Sequence, residues 1–187
     1  LAAGLSHDDR RSSPVQIPGT TWSKVTLNAN NGVLATKTNG ALWAWGNNNY
    51  GQLAQNNLTQ RSSPVQVGSD TTWSRGVMTT VYAAGGLKTD GTLWVWGRNT
   101  KGVLGLNQSE NSHYSSPVQL PGTTWKDISG DFYNTMAVKT DGTLWGWGQN
   151  NMGQLGQNSR TEYSSPVQVP GTDWNEIAST AYSQYGI

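Results

Sequence analysis

Residues 137–156 read Ala-Val-Lys-Thr-Asp-Gly-Thr-Leu-Trp-Gly-Trp-Gly-Gln-Asn-Asn-Met-Gly-Gln-Leu-Gly, and parts of this stretch recur along the whole chain. Self-similarity at a fixed period of roughly 50 residues indicates a repeat architecture. The lone Trp and the Trp-x-Trp pair of each period account for all 10 tryptophans. The recurring strings are Leu-Trp-x-Trp-Gly at Leu42–Gly46, Leu93–Gly97 and Leu144–Gly148, Ser-Ser-Pro-Val-Gln at Ser12–Gln16, Ser62–Gln66, Ser115–Gln119 and Ser164–Gln168, and a lone Trp at Trp22, Trp73, Trp125 and Trp174.

Each period predicts four short strands separated by polar turns. The first begins at a proline (Pro64–Val67), and proline suits the outer edge of a sheet because it has no backbone N–H to donate. The other three are expected at positions equivalent to Trp125–Ser129, Met136–Lys139 and Leu144–Gly148. The Asn-Gly and Asp-Gly pairs before the last strand favour a type I′ hairpin, in which both central residues have positive φ. We therefore expect an all-β fold with little helix.

The Leu-Trp-x-Trp-Gly strand is apolar on both faces. Trp43 and Trp45 share one face, and Leu42 and Ala44 share the other, because side chains alternate along a strand. Such a strand has to be covered on both sides, as happens when a sheet packs between two neighbouring sheets. The pattern therefore favours a β-propeller of four-stranded blades.

Composition and charge argue against two classes of function, nucleic-acid binding and membrane insertion. The chain has 187 residues, of which only 12% are charged, with a net charge of +1 and no Cys. Its 12 Lys and Arg are scattered, so the basic stripe that neutralises nucleic-acid phosphates is missing. No apolar run approaches the ~20 residues that a membrane-spanning helix needs. We expect neither nucleic-acid binding nor membrane insertion.

Catalytic groups do not fall into a recognisable arrangement. The two histidines, His7 and His113, lie in loops near repeat boundaries, without a third ligand at a metal-binding spacing. Asp127 and Asp131 flank one predicted strand, but a paired-carboxylate mechanism needs two acids close in space, which spacing alone does not show. We therefore predict that the chain is not an enzyme and has no catalytic residues, no metal and no cofactor.

The stretch 137–156, followed by Ser-Ser-Pro-Val-Gln, resembles the regulator of chromosome condensation repeat in the form common in bacterial and bacteriophage proteins. The resemblance covers essentially the whole chain and implies a propeller, usually of seven four-stranded blades. About 3.7 blades are expected, as repeats at 12–61, 62–114 and 115–163 and an incomplete repeat at 164–187, while 1–11 resembles the tail of a preceding repeat. We therefore expect a part of a longer ring, with pairing of two copies through open blade edges as the alternative.

Positions that break the repeat are the candidates for function, because packing explains the repeated ones. Counting back six residues from the lysine before each hairpin reaches Asn31, Tyr82, Tyr133 and, near the C-terminus, Tyr182. Family members that bind proteins through this face use aromatic residues in similar loops, so the resemblance implies an aromatic binding rim. The alternative is that these tyrosines only cap the blade cores. The candidate binding residues are Tyr82, Phe132, Tyr133, Asn134, Tyr182 and Tyr185.

The long polar loops that follow each Trp-x-Trp-Gly are a second candidate surface. They begin with Asn47–Tyr50, Arg98–Lys101 and Gln149–Met152, and their variation is typical of solvent-exposed connections. We therefore expect ordinary exposed loops there. The recurring lysines at 37, 88 and 139 are expected to be strand-edge residues and not a basic patch.

The sequence favours a non-catalytic interaction or structural module that binds a protein or glycan partner. A composition dominated by Asn, Gln, Ser, Thr and Gly is typical of extracellular or virion-exposed β proteins, so a virion, cell-surface or extracellular location is favoured over the cytoplasm. Two alternatives stay open. One is nucleotide exchange on a small GTPase combined with chromatin binding, as in eukaryotic family members, and the other is an enzyme domain framed by a propeller.

Overall fold

The computed structural model describes residues 13–28, 30–180 and 183–186, with only the backbone for 179–180 and 183–186. This part of the chain is built from antiparallel strands, and its helical content is a single 3₁₀ turn at Thr100–Gly102. The strands are β1 Trp22–Leu27, β2 Gly32–Lys37, β3 Leu42–Gly46, β4 Arg61–Gln66, β5 Trp73–Val77, β6 Ala83–Lys88, β7 Leu93–Arg98, β8 His113–Leu120, β9 Trp125–Asp131, β10 Asn134–Lys139, β11 Leu144–Gly148, β12 Tyr163–Val169, β13 Ile177–Thr180 and β14 Ser183–Gly186.

The strands form three four-stranded sheets, β1–β4, β5–β8 and β9–β12, and a hairpin of β13 with β14. We call the three sheets blades 1, 2 and 3. Within each blade the strands lie in chain order, and the proline-bearing strand occupies an edge, as predicted. That strand pairs with the preceding Leu-Trp-x-Trp-Gly strand, as Val65 does opposite Ala44. The blades are therefore offset from the sequence periods 12–61, 62–114 and 115–163. The Ser-Ser-Pro-Val-Gln string that begins each of the later periods forms the last strand of the preceding blade.

The predicted type I′ hairpin is wrong. In blade 1 the N–H of Gly40 donates to the carbonyl of Lys37 at 2.9 Å, and the N–H of Lys37 donates to the carbonyl of Ala41 at 2.9 Å. Gly40 has a φ of +79°, whereas Asn39 is not among the positive-φ residues of the described chain. This is the three-residue loop closed by a left-handed glycine. The Asn or Asp acts instead through its side chain, as Asp90 Oδ1 does by accepting the N–H of Thr92 at 3.0 Å.

The core of each blade is made by its tryptophans and by the apolar face opposite them. Leu42 and Ala44 are fully buried, and Trp45 is 4% exposed, so the strand is covered on both faces as its sequence predicts. The lone Trp packs edge-on against the Trp-x-Trp pair, with Trp125 centred 6.2 Å from Trp147. Burying aromatic side chains of this size is the largest apolar contribution available to so polar a chain.

A lysine lies against two tryptophans in every blade. In blade 2 the Nζ of Lys88 is 4.9 Å from the ring centroid of Trp73 and 4.2 Å from that of Trp94. Lys37 and Lys139 make the same pair of contacts in blades 1 and 3. Each such contact is worth about 0.5–1 kcal/mol at exposed sites. The recurring lysines end the second strand of each blade and belong to its packing.

Neighbouring blades are joined by backbone and indole hydrogen bonds at repeated positions. The backbone N–H of Trp125 donates to the carbonyl of Gly91 in the preceding blade at 3.0 Å. The indole N–H groups of Trp96 and Trp147 donate to the carbonyls of Gln52 and Val103, at 2.9 and 2.7 Å. Each buried Trp therefore holds the long loop of the blade before it.

Candidate functional site

The antiparallel strand order brings the two predicted candidate surfaces to one end of the blades. The connection from the first to the second strand of a blade and the loop from the third to the fourth leave the sheet at the same end. The backbone confirms their proximity, since the N–H of Arg98 donates to the carbonyl of Tyr82 at 3.0 Å and that of Gln149 to Tyr133 at 2.7 Å. We call this the loop end, and the opposite one, with the tight hairpins, the hairpin end.

The long loops of the loop end are held in place by one buried asparagine in each blade. Asn150 is fully buried, and its Nδ2 donates to the carbonyls of Ser159 and Thr161 at 3.0 and 2.9 Å. Its Oδ1 accepts the N–H of Leu155 at 2.9 Å. Asn48 and Asn99 do the same in blades 1 and 2. The expectation of ordinary exposed loops is therefore wrong for these asparagines, although Asn49, Asn151 and Met152 are exposed as expected.

In blade 2 the loop end carries an aromatic and cationic cluster. The rings of Tyr50 and Tyr82 lie 4.7 Å apart edge-on, and the imidazole of His113 stacks on Tyr50 at 5.6 Å. The guanidinium carbon of Arg98 lies 4.9 Å from the centroid of Tyr50 and 5.9 Å from that of Tyr82. Tyr50 belongs to the loop of blade 1, so the cluster spans the boundary between two blades.

In blade 3 the loop end carries a cavity of about 450 Å³ instead. Residues 131–134 line it from one side, and the loop side chains of Gln149, Asn151, Met152 and Gln154 line it from the other. Burial raises the pKa of the Asp131 carboxyl, and a hydrogen bond from the backbone N–H of Phe132 partly opposes that effect. The cavity therefore combines an acid, two aromatic rings, a thioether and several amides.

The predicted site residues differ in exposure, and two of them have no described side chain. Tyr82 and Tyr133 are half-buried at the loop end, and Phe132 is 38% exposed with its ring 6.3 Å from that of Tyr133. Asn134 begins β10 and is only 7% exposed. Tyr185 lies in β14, where only the backbone is described, and Tyr182 lies outside the described residues.

The sequence alone does not identify several loop-end residues as binding candidates. Arg98 and Gln149 were noted only as parts of loops, and Asp131 only as a possible catalytic acid. The signal that could have found them is topological, because an antiparallel four-stranded order puts both kinds of connection at one end. The buried asparagines had a signal of their own, since residues 48, 99 and 150 are spaced by 51 residues.

A second cavity, of about 550 Å³, lies between blades 1 and 2 and is lined by Trp73, Trp94, Lys88 and Asp70 among others. The charges in it are already paired, since Lys88 Nζ lies 2.6 Å from Asp70 Oδ2. The hydrogen bond from Lys88 lowers the pKa of Asp70 to about 2. This cavity therefore offers tryptophan surface with a neutralised ion pair.

The acids noted in the sequence have structural partners. Asp127 forms an ion pair with Arg75 of the neighbouring blade. Asp90 and Asp141 accept hydrogen bonds from the threonines two residues later, which lower the pKa of both carboxyls. Within the described ranges no group of three His, Asp or Glu residues could hold a metal ion. No helix of that part of the chain is long and apolar enough to cross a membrane.

Solved structures with similar folds include human WBSCR16 and Prp20p from Saccharomyces cerevisiae, the latter described with its binding properties to Gsp1p and histones. The TM-scores are 0.71 and 0.75, at 24% and 18% sequence identity, over 86% and 89% of this chain. The chain spans 43% of each of those proteins. The likeness shows that the three blades have the fold of such propellers.

Curated relatives include the Arabidopsis thaliana ultraviolet-B receptor UVR8, which is 28% identical over 77% of this chain. The human E3 ubiquitin-protein ligase HERC2 is 32% identical over 62% of it. The chain spans 34% of UVR8 and 2% of HERC2, so it corresponds to only a part of either protein.

The model of the regulator of chromosome condensation (RCC1) repeat matches residues 39–86, 90–138 and 141–185. A second model of the same repeat matches 23–52 and 126–154. These ranges cover most of the chain and coincide with the recurring Trp, Gly and Pro positions that build the blades. The chain therefore belongs to the regulator of chromosome condensation (RCC1) repeat family.

Proposed function

We propose that this chain is a non-catalytic protein-binding module and that its partner binds at the loop end. One observation carries the proposal. At that end the chain displays half-buried aromatic rings and amide-rich loops, and those loops are fixed by fully buried asparagines. Rigid aromatic residues supply contact area at low entropic cost, and pre-organised loops reduce the cost of ordering on binding.

The family supports a protein as the partner. Prp20p is described as binding Gsp1p and histones, and another structure shows Kap60 bound to it. These partners belong to that protein, and what is carried over is the use of an RCC1-repeat propeller as a protein-interaction surface. A glycan is the other occupant proposed for the same aromatic face, and a glycan array tests it directly.

The proposal extends to a surface-exposed role, on a virion or cell surface, in the bacterial or bacteriophage form of the repeat. It rests on the low charge and the Asn-, Gln-, Ser-, Thr- and Gly-rich composition. We also propose that the blades belong to a seven-bladed ring. The reading frame on either side of Leu1 and Ile187 tests both points, because it shows how many further repeats and which attached segments the protein has.

Photo-crosslinking tests which end binds. A benzophenone amino acid replaces Phe132 at the loop end or Thr140 at the hairpin end, both of which are exposed. We expect a specific crosslinked protein from position 132 and none from position 140. Crosslinking only from position 140 would refute it.

Nucleotide exchange on a small GTPase is the second candidate function, because Prp20p is described with Gsp1p. A nucleotide-release assay with a GTPase of that class separates the two functions. Acceleration of GTP or GDP release by the chain would favour the exchange function over a simple binding module.

A further inference from the structure

Blades 2 and 3 carry complementary substitutions at two equivalent positions of the loop end. The residue after Trp-x-Trp-Gly is Arg98 in blade 2 and Gln149 in blade 3. The residue two before the rim tyrosine is Thr80 in blade 2, where its Oγ1 accepts the backbone N–H groups of Tyr82 and Ala83 at 3.2 and 3.0 Å. In blade 3 that residue is Asp131. Blade 2 thus has a cation and no acid at these positions, and blade 3 has an acid and no cation.

Blade 2 shows how a guanidinium is accommodated at this end. Arg98 lies over the rings of Tyr82 and Tyr50. In blade 3 the shorter and neutral Gln149 lines the 450 Å³ cavity beside Tyr133. Asp131 and Phe132 line the same cavity, and Met152, which is 81% exposed, stands at its edge.

We propose that this cavity binds the guanidinium group of an arginine side chain from a protein partner. The carboxylate of Asp131 would accept paired hydrogen bonds from the planar guanidinium, and the rings of Phe132 and Tyr133 would pack against its faces. A lysine ammonium fits less well, because it is a compact and strongly hydrated charge that cannot donate to a carboxylate in a planar fork. The inference rests on the proposed function, since it names the partner group that one part of the loop end recognises.

The wall of the cavity is formed before any partner arrives. Gln154 Oε1 accepts the N–H of Met152 at 2.9 Å, and its Nε2 donates to Asn151 Oδ1 at 3.4 Å. Asn150 fixes the base of the same loop from within the core. An arginine therefore enters a fixed site, and little of the binding free energy goes into ordering the loop.

Methyl NMR of ¹³C-methionine tests the proposal with N-acetyl-arginine amide as the probe. The chain has three methionines, of which Met78 and Met136 are each 7% exposed and serve as internal references. We expect the Met152 signal to shift in a saturable way while the other two stay in place. N-acetyl-citrulline amide, which has nearly the same shape without the charge, should leave all three unchanged.

Three variants decide whether the cavity is responsible. Asp131→Asn should weaken probe binding about tenfold, because it removes a charge-assisted hydrogen-bond pair. Asp173→Asn removes an equal charge from an exposed loop and should leave the affinity unchanged. Gln149→Arg supplies an internal guanidinium and should abolish the shift, while unchanged Met78 and Met136 signals show that the fold is kept.

An unmoved Met152 signal, an equal response to the citrulline probe, or undiminished binding by Asp131→Asn would each overturn the inference. If the probe does not bind while crosslinking from position 132 succeeds, the arginine site is refuted and the protein-binding face is kept. If the probe binds as expected and crosslinks form only from position 140, the arginine site is kept and the proposed binding face is refuted.

Discussion

In blades 2 and 3 a short hydrogen-bond chain holds the first tryptophan of each pair, and blade 1 lacks it. The indole N–H of Trp145 donates to Thr143 Oγ1 at 2.9 Å, and that hydroxyl donates to Asp141 Oδ1 at 2.7 Å. In blade 1 the threonine is replaced by Ala41, and the indole N–H of Trp43 is buried without a hydrogen-bond partner. Blade 1 therefore carries a buried donor that the other blades satisfy.

Replacing Ala41 by threonine should give blade 1 the same series of hydrogen bonds as blades 2 and 3. Asn39 Oδ1 already accepts the N–H of residue 41 at 3.1 Å, as the aspartate of blade 3 does for residue 143 at 3.0 Å. A net hydrogen bond contributes about 1 kcal/mol, so Ala41→Thr should raise the free energy of unfolding by about that amount. For a chain of this size we expect Tm to rise by about 2–4 °C.

Thermal and urea unfolding measure the stability, and NMR exchange of the Trp43 indole proton reports the new bond itself. The matched reverse variant is Thr143→Val, which keeps the side-chain shape and should cost about 1–3 kcal/mol by leaving the Trp145 indole unpaired. An Ala41→Thr variant with unchanged Tm and unchanged exchange of the Trp43 indole proton would show that the hydrogen bond does not form.

Two further predictions concern the hairpin end. Gly91→Ala should be strongly destabilising in urea unfolding, because residue 91 has a φ of +78° and a Cβ there would lie 2.3 Å from the carbonyl oxygen of Thr123. Gly68→Ala should cost only about 1 kcal/mol, because residue 68 has a φ of +58° but its added Cβ would meet no atom within 4 Å. Equal losses of stability in the two variants would contradict this prediction. Lys88 lowers the pKa of Asp70 to about 2, so the ionised pair stabilises the fold above the unfolded pKa of about 3.9 and that stability is lost as the pH falls towards 2. Asp70→Asn should therefore be less stable than the parent at pH 7, by under about 1 kcal/mol because the carboxylate is 35% exposed, and most of that difference should be gone at pH 2. A difference of the same size at pH 2 as at pH 7 would assign the loss to something other than the ion pair.

Strand positions were predictable because they depend on local patterns. The strand at Leu144–Gly148 has the predicted bounds, and the proline-bearing strand lies at a sheet edge. The hairpin type was wrong because Asp-Gly is compatible with two loop geometries. The observed three-residue loop also makes contacts with the connection to the next blade: the N–H of Trp125 donates to the carbonyl of Gly91, and the carbonyl of Thr123 lies where a Cβ of residue 91 would be. Such contacts between blades are not visible in a hairpin sequence.

The candidate site was predictable in part. Tyr82 and Tyr133 were predicted because each lies six residues before a recurring lysine, and both lie at the loop end. Their proximity to Arg98 and Gln149 was missed, because the strand order that brings two distant loops together is a property of the sheet. The burial that raises the pKa of Asp131 depends in the same way on the surrounding fold, so composition and spacing could not reveal it.

Once crosslinking has identified the partner, hydrogen–deuterium exchange of the non-covalent complex tests the binding face most directly. We expect added protection at 131–134 and 149–154, and at the blade 2 cluster of Tyr82 and Arg98. We expect no change at the hairpins 38–41, 89–92 and 140–143. Protection confined to those hairpins, with the loop end unchanged, would contradict the claim that this chain binds its partner at the loop end.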